Sequence, residues 1–508
     1  MTYFAAVAAV RIQTWLARTP DLRSVRGASI ALTEETKQDT LRDAAVLPAT
    51  VSFAPDTAEV AGVLVLTATD ADQLDAAVEL ALDHLQSRLP GLEWSAWRAA
   101  EDTYVQAYQA FRDDRLDEAS LRVWPHRLPV DLHLPIAAAC SRCASELATA
   151  TVPRPGTTDQ TDPVGPDCLA RYRKGKNDDF QDFEELAKVG AHGNTVGRRD
   201  AANHLATICA DGNQVGAFFD AVAAVGDPTL QQGLSSALDI AMREAADQAA
   251  RCGPEGQLVA MNHFVGGDDL FASVAAPFAW HYAETLSRVF EASFADAVAR
   301  VLTAPTEAPE QAAVRQAAEA VRQAAEKVCQ AAEKVSLGIG IAFAHAKYPL
   351  ADARMSAQAA ETLAKRATQG RQGAATWLDI TVEPSASTGA GELAGRFVTT
   401  DQLTEELASP HPATTLTSSQ RAMLTSILRA ELATGSSASG QHVRTWATRV
   451  GLLQRLEPYL PDGKTTDPYS RLAALAHTVD RMRWWPSATT SAEPALDGIR
   501  LEHVGDAP

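Results

Sequence analysis

Basic residues are few for a chain of this length. The 508 residues include 45 Lys and Arg against 64 Asp and Glu, and the formal net charge is −19. Because phosphate contacts need basic surface, this balance is unfavourable for a protein that wraps nucleic acid unaided. Any RNA bound here is therefore expected to be held mainly by partner subunits.

Long apolar runs are also absent from the sequence. No run reaches the roughly 18 apolar residues that a membrane-spanning helix needs. The opening, residues 1–10, is apolar but has no basic leader, so it is predicted to be a strand rather than a signal peptide. A cytoplasmic location without membrane contact is the expectation that follows.

Cysteine is scarce, with 6 in the whole chain. Cys140 and Cys143 form a Cys-x-x-Cys pair, and Cys168 follows a loop rich in Pro, Gly, Thr and Asp. A structural zinc site needs four ligands, so these three thiols make a candidate site that lacks one. The fourth ligand is expected among three histidines: His126, His133 or His192. Free thiols in a reducing cytosol are the alternative.

Residues 259–272 predict two strands joined by a tight turn with two carboxylates at its tip. Both flanks are apolar and β-favouring, and Gly266-Gly267 supplies the permissive backbone of a sharp reversal. Asp268 and Asp269 would repel each other unless a cation lies between them, and hard oxygen ligands suit Mg²⁺ or Mn²⁺. A solvated turn is the alternative for this stretch alone.

A third carboxylate is expected from an upstream strand. Residues 204–210 read as a short apolar strand that ends in Asp211-Gly212-Asn213 and is followed by a helical stretch. Alone, Asp-Gly-Asn is a turn signal, and Asn213 could equally cap the helix. If this strand pairs with the hairpin, Asp211 lies beside its tip. Three such acids predict a two-metal site for in-line phosphoryl or nucleotidyl transfer.

These motifs resemble the palm domain of the CRISPR-associated protein 10 family. The resemblance rests on Asp211-Gly212-Asn213, on Gly266-Gly267-Asp268-Asp269-Leu270, and on residues 338–350 followed by the helix that contains Ala359–Lys365. The family supplies the large subunit of type III CRISPR effectors, in both the Cmr and Csm branches. The similarity covers about residues 200–385 most firmly.

The resemblance implies an α+β fold with two ferredoxin-like palm domains. The first, residues 1–132, would be a degenerate palm without the acids, and residues 133–198 would form a zinc-ribbon-like module and linker. The catalytic palm would span 199–395, with a period-seven helical insertion at 308–335, and 396–508 would be a helical domain. The family's ribbon pairs two Cys-x-x-Cys motifs, whereas Arg171 stands here in place of the fourth cysteine.

The resemblance also implies synthesis of cyclic oligoadenylates from ATP with release of pyrophosphate. Asp211, Asp268 and Asp269 would hold two Mg²⁺ or Mn²⁺ ions. The expected nucleotide-binding residues lie around them: Gly212, Asn213, Gly266, Gly267, Lys365 and Arg366. Implied partners are the backbone-capping and small helical subunits of a type III effector, which would hold the guide RNA and the target RNA.

Several alternatives remain open at this stage. The chain could be a scaffold of the same family that binds nucleotide without catalysis, or a stand-alone cyclic dinucleotide synthase of the GGDEF-like class. Leu270 disfavours the second, since that class carries an aromatic residue there. A templated RNA polymerase needs a large basic channel, which the net charge disfavours. No His-Asp dipeptide occurs, so a compact form without the family's HD nuclease domain is expected.

Overall fold

The computed structural model describes residues 2–485 apart from internal gaps. The longer gaps are 128–137, 193–201, 304–325 and 382–395, and the shorter ones are 45–46, 56, 58, 114, 117–120, 155–158, 177–178, 226, 410–411, 434–438 and 463–466. Most of the period-seven insertion and the side chains of His133 and His192 therefore lie outside the described residues.

An antiparallel sheet in the order β2-β3-β1-β4-β5 forms the first part of the chain. Its strands are β1 (Thr2–Val10), β2 (Ser52–Phe53), β3 (Val63–Ala68), β4 (Glu93–Glu101) and β5 (Leu121–Trp124). The helices are α1 (Ile12–Leu16), α2 (Leu22–Glu35), α3 (Gln38–Asp43), α4 (Ala71–Arg88) and α5 (Tyr104–Arg112). Asp70 caps α4, and Thr103 with Gln106 forms a capping box on α5, so local sequence fixes where both begin.

The region around the cysteines is folded onto the first part. It contains the hairpin β6 (Ala150–Pro153) and β7 (Thr161–Val164), then α6 (Pro166–Lys174) and α7 (Phe183–His192). Helix α6 crosses α2 at two glycines: a Cβ on Gly27 would lie 2.8 Å from the amide nitrogen of Gly175. Only residues without side chains allow the two helices to approach so closely.

The sequence predicts a linker or exposed loop for residues 170–200, and this prediction is wrong where α6 and α7 lie. Arg171 is 1% exposed within α6, and its guanidinium donates to Asp167 at 2.8 Å and to the carbonyl of Trp15 at 3.0 Å. The same guanidinium lies 4.2 Å from the centre of the Trp15 ring. A charged stretch of sequence normally predicts exposure to solvent. Arg171 is buried because the Asp167 carboxylate balances its charge and the Trp15 carbonyl in α1 accepts another of its hydrogen bonds.

A second sheet has the order β13-β12-β11-β8-β10-β9. Its strands are β8 (His204–Asn213), β9 (Ala260–Gly266), β10 (Asp269–Ala275), β11 (Ser336–His345), β12 (Ala374–Asp379) and β13 (Phe397–Thr399). All neighbouring strands are antiparallel except β11 and β12. The helices of this part are α8 (Val215–Ala223), α9 (Pro228–Ala250), α10 (Ala279–Thr303) and α11 (Leu350–Thr368).

The two sheets share one connectivity. In the first, β1-α2-β2-β3-α4-β4 gives the spatial order β2-β3-β1-β4, and in the second β8-α9-β9-β10-α10-β11 gives β9-β10-β8-β11. Each is therefore a βαββαβ unit with further strands added beside its last strand. The α+β class predicted from the sequence is confirmed.

The last part of the described chain is helical, as predicted. It contains α12 (Thr400–Ala408), α13 (Ser418–Leu432), α14 (Gln441–Arg449), α15 (Leu453–Leu456) and α16 (Pro468–Arg481). Trp484 and Trp485 are each 3% exposed and join the ring cluster of Trp280 and Phe343, so they close the core of the second sheet. Of the helices in the described ranges, none has the length and apolarity required to span a bilayer.

Only the end of the period-seven insertion lies within the described residues. Residues 326–332 are helical, and Val328 and Val335 are buried in the main core. The insertion therefore packs against the fold at this end.

Candidate nucleotide-binding and metal site

The hairpin predicted from Gly-Gly-Asp-Asp is present between β9 and β10. Gly266 pairs with Asp269, which leaves Gly267 and Asp268 as a two-residue turn. Gly267 has φ of +61°, the left-handed conformation that a tight hairpin favours at its first central position. Its amide donates to Oδ1 of Asp239 at 3.2 Å, so α9 anchors the turn.

The predicted pairing between the upstream strand and the hairpin is confirmed. Strand β8 lies between β10 and β11, with Ala210 opposite Leu270 and Asp211 opposite Gly338. A Cβ on Gly212 would lie 2.6 Å from Oδ2 of Asp268, so the Asp268 carboxylate packs directly over this glycine. The fold thereby brings Asp211 to the tip that carries the other two acids.

Crowding and burial change the acidity of these carboxyl groups. Burial, followed by the charge of Asp211, raises the pKa of Asp268 to about 6. Burial, followed by the charges of Asp211 and Asp268, raises the pKa of Asp269 to about 7. A divalent cation would relieve both the desolvation and the repulsion, so the pair is suited to hold one.

Lys365 reaches this acid cluster from α11. Its ammonium donates to Oδ2 of Asp211 and to the carbonyl of Gly212 at 3.1 Å. The stem of Lys365 lies over β11, where a Cβ on Gly338 would come within 2.5 Å of its Cγ. The structure pairs Lys365 with Asp211, a predicted metal ligand, and the predicted nucleotide-binding role of Lys365 stays a prediction.

Glu361 is a fourth carboxylate that sequence reasoning did not assign to the site. It is 8% exposed, and its Oε1 lies 3.7 Å from the ammonium of Lys365. Burial raises the pKa of Glu361 to about 7, although Lys365 opposes that shift. The spacing of four residues between Glu361 and Lys365 places both on one face of a helix and was the available signal.

The charge balance of the site favours cations. Four carboxylates (Asp211, Asp268, Asp269 and Glu361) surround one ammonium, so the fully ionised cluster carries three excess negative charges. All of its donors are oxygen atoms, which are the ligands that Mg²⁺ and Mn²⁺ prefer. These residues therefore fit the predicted divalent ions in charge and in chemistry.

A groove of about 440 Å³ opens beside Lys365. It is lined by the turn after β8 and by the end of α11: Gly212, Asn213, Gln214, Thr362, Lys365, Arg366, Gln369 and Gly370. Lys365 and Arg366 contribute positive charge, and none of these eight lining residues is acidic. The groove therefore suits an anionic group placed next to the acid cluster.

Asn213 has a structural role that the sequence did not indicate. It is 3% exposed, and its Nδ2 donates to Ser336 Oγ at 3.1 Å and to the carbonyl of Gln372 at 3.4 Å. The cap position of α8 is occupied by Gln214, which makes no side-chain cap bond. Asn213 therefore ties β8 to β11 and to the loop before β12, and it does not cap the helix.

The three candidate zinc ligands are brought together, and their fourth partner is a carboxylate. Ligand atoms of Cys140, Cys143, Glu146 and Cys168 all lie within 4.8 Å of one another. The Glu146 carboxylate also accepts from the amides of Asp167 and Cys168 at 3.1 and 3.0 Å, where α6 begins. This cluster could hold a metal such as zinc.

The expectation of a histidine as fourth ligand is wrong for His126, which is described and does not join the cluster. Hydrogen bonding among the thiols separates their acidities: the pKa of Cys143 is raised to about 11 by Cys140, whereas that of Cys140 is lowered by Cys143 and Cys168. One thiolate shared among three sulfurs is the arrangement that a soft cation would complete.

No protein-family model matches the sequence, and no curated protein matches it either. Solved structures that contain Csm1 and Csm4 do match the fold. A Csm1–Csm4 cassette in complex with pppApA aligns over 95% of this chain and 69% of that chain, with 13% identity and a TM-score of 0.53.

Two further assemblies give the same result. The cassette in complex with cA4 aligns at 13% identity and a TM-score of 0.52, over 95% of this chain and 70% of that chain. The Csm1–Csm4 subcomplex of the type III-A CRISPR-Csm interference complex aligns at 12% identity with the same TM-score and coverage. At such identities the similarity establishes a shared fold.

Proposed function

We propose that this chain is a CRISPR-associated protein 10 of the Csm branch that synthesises cyclic oligoadenylates from ATP. The observation that carries the proposal is the convergence of Asp211, Asp268 and Asp269 at one end of a βαββαβ sheet, in a chain with the Csm1 fold. Csm1–Csm4 cassettes in complex with cA3, cA4, pppApA, AMPPNP and one ATP support the choice of substrate.

The three aspartates would hold two Mg²⁺ or Mn²⁺ ions, which when bound favour ionisation of a ribose 3′-hydroxyl and neutralise the triphosphate. The contribution of the protein is to position the carboxylates. Strands β8 and β10 fix the carboxylates side by side, and the Gly267 turn holds Asp268 against Gly212. The carboxylate pair is thereby oriented before substrate arrives, which lowers the cost of binding.

The groove beside Lys365 would receive the triphosphate. Lys365 and Arg366 supply positively charged side chains there. Gly212 and Gly370 have no side chains, so they leave space in the groove beside the acid cluster. Gly266 and Gly267 would allow substrate to approach the hairpin backbone. Asn213 would act indirectly, because its amide bonds hold the strand that carries Asp211.

The remaining parts would serve assembly. The first sheet, within residues 1–132, has the same connectivity as the second but offers no matching acids in its sequence, as a degenerate palm would. The cysteine module at 133–198 would brace it through α6, and the helices from 396 onward would contact small helical subunits. Csm4 is the partner in the matched assemblies, and a Csm4-like subunit is the proposed neighbour here.

The proposal is tested by incubating purified protein with each labelled nucleoside triphosphate and Mg²⁺ or Mn²⁺, alone and with co-purifying subunits and RNA. Products are resolved by mass. Cyclic 3′–5′ oligoadenylates are expected from the wild type and not from the Asp268→Asn/Asp269→Asn variant. The charge-matched control Asp72→Asn/Asp296→Asn, at two exposed helical positions, is expected to retain activity.

Other products would redirect the assignment. Cyclic di-GMP would move the protein to the GGDEF-like synthases. Nucleotide binding without any product, in the presence of partners and target RNA, would identify a non-catalytic scaffold.

A further inference from the structure

The surroundings of Glu361 differ from those of an ordinary helix surface acid. Helix α11 approaches β11 so closely that a Cβ on Gly340 would lie 2.9 Å from the Cα of Glu361. This approach buries the carboxylate on the same sheet face as Asp211, because Gly338 and Gly340 share that face and Gly338 pairs with Asp211. Burial of a carboxylate is costly unless a cation offsets it.

Lys365 is a cation with two carboxylates in reach. Its ammonium donates to Asp211 and lies 3.7 Å from Glu361, which is beyond a good hydrogen bond. Its stem lies close over Gly338, which has no side chain to displace it. The 3.7 Å separation is short enough for a change at the end of the side chain to bring the ammonium within bonding distance of Glu361.

We propose that Glu361 is a positioning residue that accepts the ammonium of Lys365 when a divalent cation takes Asp211. This inference rests on the proposed two-metal function. An ammonium and a divalent ion cannot share Asp211 without repulsion at contact distance. Lys365 must therefore leave, and a half-buried ammonium needs another counter-charge, which Glu361 supplies from the preceding helical turn.

The exchange keeps Lys365 at the groove. Both Lys365 and Thr362, the residue after Glu361, line the groove, so an ammonium held by Glu361 stays next to the space proposed for phosphate. Without Glu361, Lys365 would remain on Asp211 and compete with the metal. The expected defect is therefore in metal affinity, before any substrate is present.

The test is a double-mutant cycle on Mn²⁺ binding to the full chain without nucleotide, measured by titration calorimetry. Glu361→Gln is expected to weaken Mn²⁺ binding by about tenfold, as for one lost contact to a charged group. Lys365→Met removes the competitor, so the double variant is expected to bind Mn²⁺ within about twofold of Lys365→Met alone. Glu361→Asp keeps a carboxylate and is expected to retain most of the affinity.

Three outcomes would overturn the inference. An equal loss from Glu361→Gln in both backgrounds would show that Glu361 acts on the ion itself, and no loss in either would show that it is uninvolved. A wild type that binds no Mn²⁺ would overturn the two-metal function as well, which separates the two failures. Glu244→Gln, at an exposed position on α9, controls for the change in net charge.

Discussion

At the scale of single residues, the acid cluster has more negative charge than the protein neutralises. Lys365 is the one ammonium bonded to the cluster among the described contacts, and it bonds Asp211 rather than the hairpin pair. The carboxyls of Asp268 and Asp269 are therefore left to hold protons near neutral pH. Proton and metal should compete for the same oxygens.

Stability without metal should depend on pH through Asp269. Its folded pKa of about 7 exceeds the ordinary value of 3.8, so the folded state binds more protons than the unfolded state between those limits. Stability should therefore fall as pH rises from about 4 to about 7. Asp269→Asn should be more stable than the wild type by about 1–3 kcal/mol at pH 8, and this advantage should shrink toward pH 4.

Thermal unfolding in the presence of a chelator measures this difference. Asp296→Asn, an exposed acid on α10, is the matched control and should leave the pH profile unchanged. A profile for Asp269→Asn that runs parallel to the wild type would contradict the raised pKa.

Gly338 should be required for the position of Lys365. An alanine there would place Cβ 2.5 Å from Lys365 Cγ, so Gly338→Ala should push the ammonium off Asp211 and cost about 1–3 kcal/mol of stability. Synthesis of cyclic oligoadenylates should fall at least tenfold, because the displaced side chain would also leave the groove proposed for the triphosphate. Gly216→Ala is the control, since its Cβ would meet nothing nearer than 4.0 Å and should be neutral or slightly stabilising. Equal effects from both variants would contradict the model of the site.

At the scale of elements, the cysteine cluster links a small hairpin to the start of a helix. Glu146 accepts the first amides of α6, and Asp167 on that helix pairs with Arg18 and Arg171. The cysteine cluster, α6 and α2 thus form one packed unit. Loss of the metal should loosen the first sheet as well as the hairpin.

The cysteine cluster is expected to bind zinc. The purified protein should carry about one zinc per chain by elemental analysis, and Cys168→Ser should lose it and unfold about 5 °C lower. Cys329→Ser, outside the cluster, should keep both zinc and melting temperature. A wild type prepared with zinc that contains none would show the thiols to be free.

At the scale of the whole molecule, net charge decides which partners the chain can hold alone. With a formal charge of −19, the isolated protein should bind single-stranded RNA more weakly than about 10 μM at physiological salt. Fluorescence anisotropy with labelled RNA measures the affinity. Under the proposed function, addition of a Csm4-like subunit should strengthen RNA binding. Tight, salt-sensitive RNA binding by the isolated chain would contradict the prediction.

The sequence by itself determined the local features of the site. Gly266-Gly267-Asp268-Asp269 specified the hairpin, because turn geometry is set by the residues within the turn. Helix α9 begins at Pro228 and ends at Ala250, shortly before Gly253, because proline and glycine act on helix ends within a few positions. The α+β class was implied by the family resemblance, which itself rests on short local motifs.

Only the tertiary structure decided which charged groups, far apart in the sequence, lie together and balance each other's charge. Lys365 lies on Asp211 although 154 positions separate them, Glu361 is buried beside both, and Arg171 is covered by α1. Glu146, and not His126, joins the three cysteines, because the start of α6 brings its amides and Cys168 to the Glu146 carboxylate. Such pairings depend on how elements pack, and the energy that favours them arises from burial, which no short segment encodes.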